Sequence, residues 1–139
     1  MQRQVRHPTH AIHPALAIAA PGMLAGGTAL DTLAAGRDGV LTWMAFWMIA
    51  AGVASGAWCA AWALLDGIFF AGHGTGGAYP LNALATATVV GLYGLAVLLR
   101  LDSPAHSAPA KAMAIEVVAT ALLGIKAWVG GELGAWLAR

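Results

Sequence analysis

Four long apolar segments, separated by short polar ones, constrain the fold of this 139-residue chain more than any other feature. Each segment reaches the roughly 20 residues that a helix needs to cross the hydrocarbon core of a bilayer. Backbone groups in lipid must be satisfied within a segment, which favours helices over open strands. The sequence predicts helices at about residues 14–35, 40–70, 81–99 and 110–129.

The composition agrees with a membrane location. Only 9% of the residues are charged and 60% are hydrophobic, whereas a soluble domain carries roughly 25% charged residues. A soluble protein of this size could not keep its surface hydrated with so few charges. The net charge of +1 and the lack of a basic stripe give no reason to expect a nucleic-acid partner. We therefore expect a multi-pass protein of the cell (inner) membrane, with the lipid bilayer as its surroundings.

The connections between the apolar segments are short, so neighbouring helices are expected to run antiparallel. This predicts an all-α fold, an integral membrane up-down four-helix bundle formed by a single domain over residues 1–139. Pro14, Pro80 and Pro109 each stand where a first helical position belongs. The residues before them are expected to mark helix boundaries, because a residue that precedes proline avoids the helical region.

The second segment has two different faces when its residues are placed at 100° intervals. Its small and polar face is expected to point into the bundle, because small residues let membrane helices approach closely. That face carries Gly52, Ser55, Gly56, Cys59 and Asp66. The opposite face carries Trp43, Trp47, Trp58 and Trp62. This tryptophan face is expected to meet lipid and the membrane interface, or to contact other membrane subunits or a quinone.

Ionisable residues inside a membrane are candidates for function, and an up-down bundle sorts them into two layers. One layer holds Asp31, Arg37, Asp38, Arg100, Asp102, His106, Lys111 and Glu116. Most of these lie in connections, where a solvated rim explains them, but Asp31 and Glu116 lie within helices. A buried carboxylate needs a partner or a proton, and Arg100 or Lys111 is the expected partner of Glu116. Both a structural ion pair and a proton or ion relay remain open.

The other layer holds His7, His10, His13, Asp66, His73, Asn82, Lys126 and Glu132. Neutral imidazole is the commonest ligand of zinc, copper and haem iron. We expect His13, Asp66 and His73 to converge at one membrane surface, where His10, His13 and His73 are candidate ligands for b-haem or a transition metal. Asp66 could orient an imidazole there or complete a metal site. Alternatively, these histidines are polar caps at the level of the lipid headgroups.

Signatures of catalysis do not occur in the sequence. The stretch "GHGTGG" lacks the Lys-Ser/Thr of a phosphate-binding loop, and neither GxSxG nor HExxH is present. An enzymatic activity is therefore not expected, although composition alone does not decide the matter.

The opening stretch "HPTHAIHPALAIAAPGMLAGGTALDTL" resembles the start of the four-helix bacterial membrane proteins grouped as domain-of-unknown-function family 2231. The resemblance extends along nearly the whole chain through short motifs. The matching positions are His13, Pro14, Pro21, Asp31, Asp66, Asn82, Arg100 and the stretch "WVGGEL" at 128–133. The sequence departs from the family at Pro21, which comes one residue late, and before Asn82, where a histidine is missing. Some members are fused to Rieske-type iron–sulfur domains, so the resemblance implies a link to membrane electron transfer.

Two classes of function follow from these observations. The first is a non-enzymatic accessory or structural subunit of a larger membrane complex, of which a respiratory or electron-transfer complex is one example. The second is a redox carrier that binds b-haem, a metal or a quinone near His10, His13 and His73.

Overall fold

The computed structural model describes the backbone of residues 12–35, 39–70 and 78–137, and the side chains of residues 18–35, 39–62, 64–65 and 83–130. Within these ranges the chain forms four α-helices and no strand. The helices are α1 (Ile12–Leu33), α2 (Val40–Phe70), α3 (Ala78–Leu101) and α4 (Ala110–Leu137), with a short 3-10 turn at Pro104–His106 between α3 and α4. The all-helical class expected from the sequence is confirmed for this part of the chain.

The helix bounds differ from the expected ones at several ends. Helix α1 begins two residues before Pro14 and α3 begins two residues before Pro80, so both prolines stand at the third helical position. The first four N–H groups of a helix have no intrahelical acceptor, and proline is therefore tolerated throughout the first turn. For this reason His13 and Tyr79 are helical and do not mark boundaries. Helix α4 continues to Leu137, eight residues beyond its expected end.

Within the described ranges, three of the helices are long and apolar enough to cross a membrane. The candidate spans are Val40–Trp62, Ala83–Leu101 and Pro104–Gly130. Helix α1 has 22 residues and contains Pro21 without ending there. That α1 is a fourth span stays a prediction.

The helices pack in a closed order, in which α1 contacts α2, α2 contacts α3, α3 contacts α4 and α4 contacts α1. The side chains between them are Leu24, Ile49, Val89, Tyr93 and Ala119. Many large apolar side chains point outward instead, among them Leu84, Leu98 and Ile125. Exposed apolar surface of this kind marks contact with a membrane or with other proteins.

Glycines set the spacing between α1 and α2. A Cβ added at Gly27 would lie 2.5 Å from Cγ1 of Ile49, and one added at Gly52 would lie 2.8 Å from Cγ of Leu24. Gly56 faces Val90 of α3 in the same way. Gly52 and Gly56 of the small face of α2 thus point inward, and close helix approach through small residues is typical of membrane proteins.

Candidate functional site

Three charged side chains meet between the helices with almost no exposure to solvent. Arg100 and Glu116 are 0% exposed and Asp31 is 3% exposed. Asp31 lies in the last turn of α1, Arg100 in the last turn of α3, and Glu116 in the second turn of α4. We call these three residues the charge cluster.

Every N–H group of Arg100 has an acceptor. Its Nε donates to the carbonyl oxygen of His106 at 3.0 Å. Nη1 donates to Oδ2 of Asp31 at 2.5 Å and to Oε1 of Glu116 at 3.1 Å, while Nη2 donates to Oδ1 of Asp31 at 3.0 Å and to the carbonyl oxygen of Thr42 at 3.3 Å. A guanidinium has five N–H donors in a planar fork, so this side chain is fully satisfied. Its contact with Asp31 is bidentate, the arrangement that gives the strongest charge-assisted hydrogen bonds.

The position of these acceptors explains what the cluster does for the fold. Asp31 belongs to α1, Thr42 to α2, Glu116 to α4 and His106 to the 3-10 turn, so the Arg100 side chain connects α3 to every other helix. The cluster therefore joins the four helices through a single side chain with fixed hydrogen-bond geometry.

A second polar group lies one to two helical turns deeper between the helices. The hydroxyl oxygen of Tyr93 is 3.1 Å from Oγ1 of Thr28 and 2.6 Å from Oγ1 of Thr120. Thr28 donates to the carbonyl oxygen of Leu24, and Thr120 donates to that of Glu116. Oγ1 of Thr120 also lies 3.3 Å from Oγ1 of Thr28, so the three hydroxyl groups form one network that joins α1, α3 and α4.

His106 covers the charge cluster from the connection between α3 and α4. Its ring stacks on the Phe46 ring, with centroids 4.3 Å apart and an interplanar angle of 13°, and the Arg100 guanidinium carbon lies 5.6 Å from the Phe46 centroid. Ala105 and His106 have φ values of 51° and 54°, a left-handed conformation that costs a non-glycine residue roughly 1–2 kcal/mol. The bond from Arg100 to the His106 carbonyl and the ring stacking offset this cost.

The sequence did not identify the aromatic and hydroxyl residues around the cluster. His106 was expected in a solvated rim, yet it is half-buried against Phe46. Tyr93 and its two threonine neighbours were not expected at a site. One signal was present, since Tyr93 lies seven residues before Arg100 and therefore shares its helix face. Lys111, the other expected partner of Glu116, is exposed.

The layer predicted from the sequence to hold most of the histidines lies largely outside the described residues. His7, His10 and His73 lie outside the described residues, and so do the side chains of His13, Asp66, Asn82 and Glu132. Of that layer, Lys126 is described, and its Nζ donates to Oγ1 of Thr86 at 2.5 Å. Among the described residues, no group of three or more histidine, cysteine, aspartate or glutamate residues is arranged to hold a metal ion. Convergence of His13, Asp66 and His73, and metal or haem binding there, stay predictions.

No protein-family model, no curated protein and no solved structure matches this chain. The resemblance to family 2231 therefore stays a prediction.

Proposed function

We propose that the protein is a small, non-enzymatic accessory or structural subunit of a larger membrane complex. In this proposal the four helices cross the cell (inner) membrane as an up-down bundle, and the charge cluster fixes their arrangement near one membrane surface. The resemblance described above is the reason to consider a respiratory or electron-transfer complex.

The tryptophan face of α2 is the observation that carries this proposal. Trp43, Trp47, Trp58 and Trp62 are each between 49% and 62% exposed. They form two pairs near opposite ends of the candidate span. The rings of Trp43 and Trp47 meet edge to face with centroids 6.2 Å apart, and those of Trp58 and Trp62 are stacked at 6.4 Å. Tryptophan is enriched both at membrane interfaces and at protein interfaces.

The surface between the two pairs has room for a partner helix. Trp47 and Trp58 are eleven residues apart, which is about 16 Å along a helix axis. A helix with its side chains is about 10–12 Å wide. The residues that face outward between the pairs include Ala51 and Ala54, both small and exposed. Small residues flanked by large aromatic ones favour a close crossing by another helix over simple contact with lipid.

Site-specific photocrosslinking in native membranes tests this proposal. We expect a photoreactive residue at Ala51 or Ala54 to give a covalent adduct of defined mass with another polypeptide. The matched control is the same residue at Ile125, which is also exposed but lies on α4. Adducts of equal yield at both positions, or no adduct at Ala51 and Ala54, would contradict a subunit interface on the tryptophan face.

The alternative, a redox carrier, depends on His10, His13 and His73. These positions lie outside the part of the chain whose side chains are described, so the alternative stays a prediction.

A further inference from the structure

One oxygen atom of the charge cluster has no hydrogen-bond partner among the described residues. It is Oε2 of Glu116, a fully buried atom. The other carboxyl oxygen of Glu116 accepts from Arg100, and both oxygens of Asp31 do the same. An unpaired buried carboxylate oxygen is costly, so this atom requires an explanation.

The formal charges of the cluster do not balance. Arg100 carries one positive charge, whereas ionised Asp31 and Glu116 would carry two negative charges. The two carboxyl groups share Nη1 of Arg100 and lie close enough to interact with each other. Two like charges this close, away from water, cannot both be held by one guanidinium without a large penalty. One added proton makes the cluster neutral.

We propose that the charge cluster is a binding site for one exchangeable proton, carried by Glu116. The proton lies on Oε2 and converts that oxygen from an unpaired acceptor into a hydrogen-bond donor. Asp31 is the adjacent acceptor, because a carboxylate oxygen has more than one lone pair. The cluster then consists of an ionised Asp31–Arg100 pair and a neutral carboxylic acid.

The geometry assigns the proton to Glu116 and not to Asp31. Asp31 accepts from two different guanidinium nitrogens, which favours its ionised form. Glu116 accepts from one nitrogen only, at the longer distance of 3.1 Å. The carbonyl oxygen of a carboxylic acid can accept that single hydrogen bond.

The surroundings of the site leave a route for exchange. The titratable groups that the described helices and turn bring to the cluster are Asp31 from α1, Arg100 from α3 and His106 from the 3-10 turn. His106 is half-buried and belongs to an exposed connection, since Pro104 and Ala105 are exposed. In this proposal the proton is therefore separated from the exposed surface of the protein by one turn of chain.

Infrared spectroscopy of the full chain in lipid bilayers tests the proposal. The chain has two glutamates, Glu116 and Glu132, so a Glu132→Gln background makes side-chain ¹³C-labelled glutamate a probe of Glu116 alone. At neutral pH we expect a C=O stretch of a protonated carboxyl group that shifts to lower frequency on labelling and in D₂O. The band should be lost in Glu116→Gln and should give way to a carboxylate band as the pH is raised.

Three outcomes would overturn the proposal. A labelled glutamate that gives only carboxylate bands at neutral pH would show that Glu116 is ionised. A labelled acid band that persists when Glu132 is restored and Glu116 is replaced would place the proton on Glu132. An acid band that gives way to carboxylate when Na⁺ replaces choline at constant pH would identify a cation site in place of a proton site. The first and third outcomes are measured on the labelled Glu132→Gln protein, so they can be tested even if Glu116→Gln fails to fold.

Discussion

Replacing Arg100 by methionine is expected to destabilise the protein by roughly 3–5 kcal/mol, because removing one partner leaves a buried charge uncompensated. Methionine keeps the length and flexibility of the side chain, but Asp31 loses its bidentate partner. The carbonyl oxygens of Thr42 and His106 lose a donor as well. Reversible unfolding in mixed micelles, followed by circular dichroism, measures the loss in the free energy of unfolding.

Lys111→Met is the matched control for this substitution. Lys111 is a cation near the start of α4, at the same end of the molecule, but its side chain is exposed. Exposed substitutions of this kind usually change stability by less than about 0.5 kcal/mol. If Arg100→Met were no less stable than Lys111→Met, Arg100 would not be the residue that connects the helices.

The double substitution Asp31→Asn with Glu116→Gln is expected to have the second large effect. It leaves Arg100 buried without any anion, at a cost of roughly 3–5 kcal/mol. The single variants should be milder. Glu116→Gln mimics the protonated acid and should be close to wild type, and in Asp31→Asn the Glu116 carboxyl can release its proton and become the counterion. The loss in the free energy of unfolding of the double variant should therefore exceed the sum of the losses of the two single variants by about 0.5–3 kcal/mol.

The control for this double-mutant cycle combines Asp102→Asn with Glu116→Gln. Because Asp102 is exposed, the losses in the free energy of unfolding of these two substitutions should add. If the stability losses of Asp31→Asn and Glu116→Gln simply added, the proposal that the cluster requires one negative charge would be contradicted. A Glu116→Gln variant that loses as much stability as the double variant would contradict it too, because the Glu116 carboxylate would then be needed in its ionised form.

Length and hydropathy were sufficient to predict the helices. The bounds of α2 agree with the expected range of 40–70, because polar residues and glycines flank one long apolar run. The starts of α1 and α3 were placed too late for a physical reason. Proline restricts its neighbours in general, but it does not disrupt a first helical turn whose N–H groups have no intrahelical acceptor.

The charge cluster was partly accessible from sequence. An aspartate and a glutamate within apolar helices require a partner, and an up-down order places them in the same layer as Arg100. The sequence could not show that one arginine takes both carboxyl groups. That outcome depends on the rotation of α1, α3 and α4 about their axes, and the close approach at Gly27 and Gly52 helps to set only that of α1.

The position of His106 could not be predicted, because it depends on backbone geometry that no sequence rule anticipates. A turn with two consecutive left-handed residues is unusual without glycine, and Ala105 does not favour it. Tertiary contacts decide this conformation, namely the Arg100 bond to the carbonyl oxygen of His106 and the stacking on Phe46. Local sequence therefore predicted a solvated rim where the chain instead forms a cover over the cluster.

The most direct test of the account is the membrane topology of the helix ends that meet at the charge cluster. Cysteines are introduced singly at Ala35, Ala105 and Leu137 in a Cys59→Ala background, and intact and inverted membrane vesicles are treated with a membrane-impermeant maleimide. Ala35 and Ala105 are exposed at the ends adjoining the cluster, whereas Leu137 lies about 40 Å along α4 from Ala110. The account predicts that positions 35 and 105 are labelled from one side of the membrane and position 137 from the other. Labelling of positions 35 and 105 from opposite sides, or of positions 105 and 137 from the same side, would contradict it.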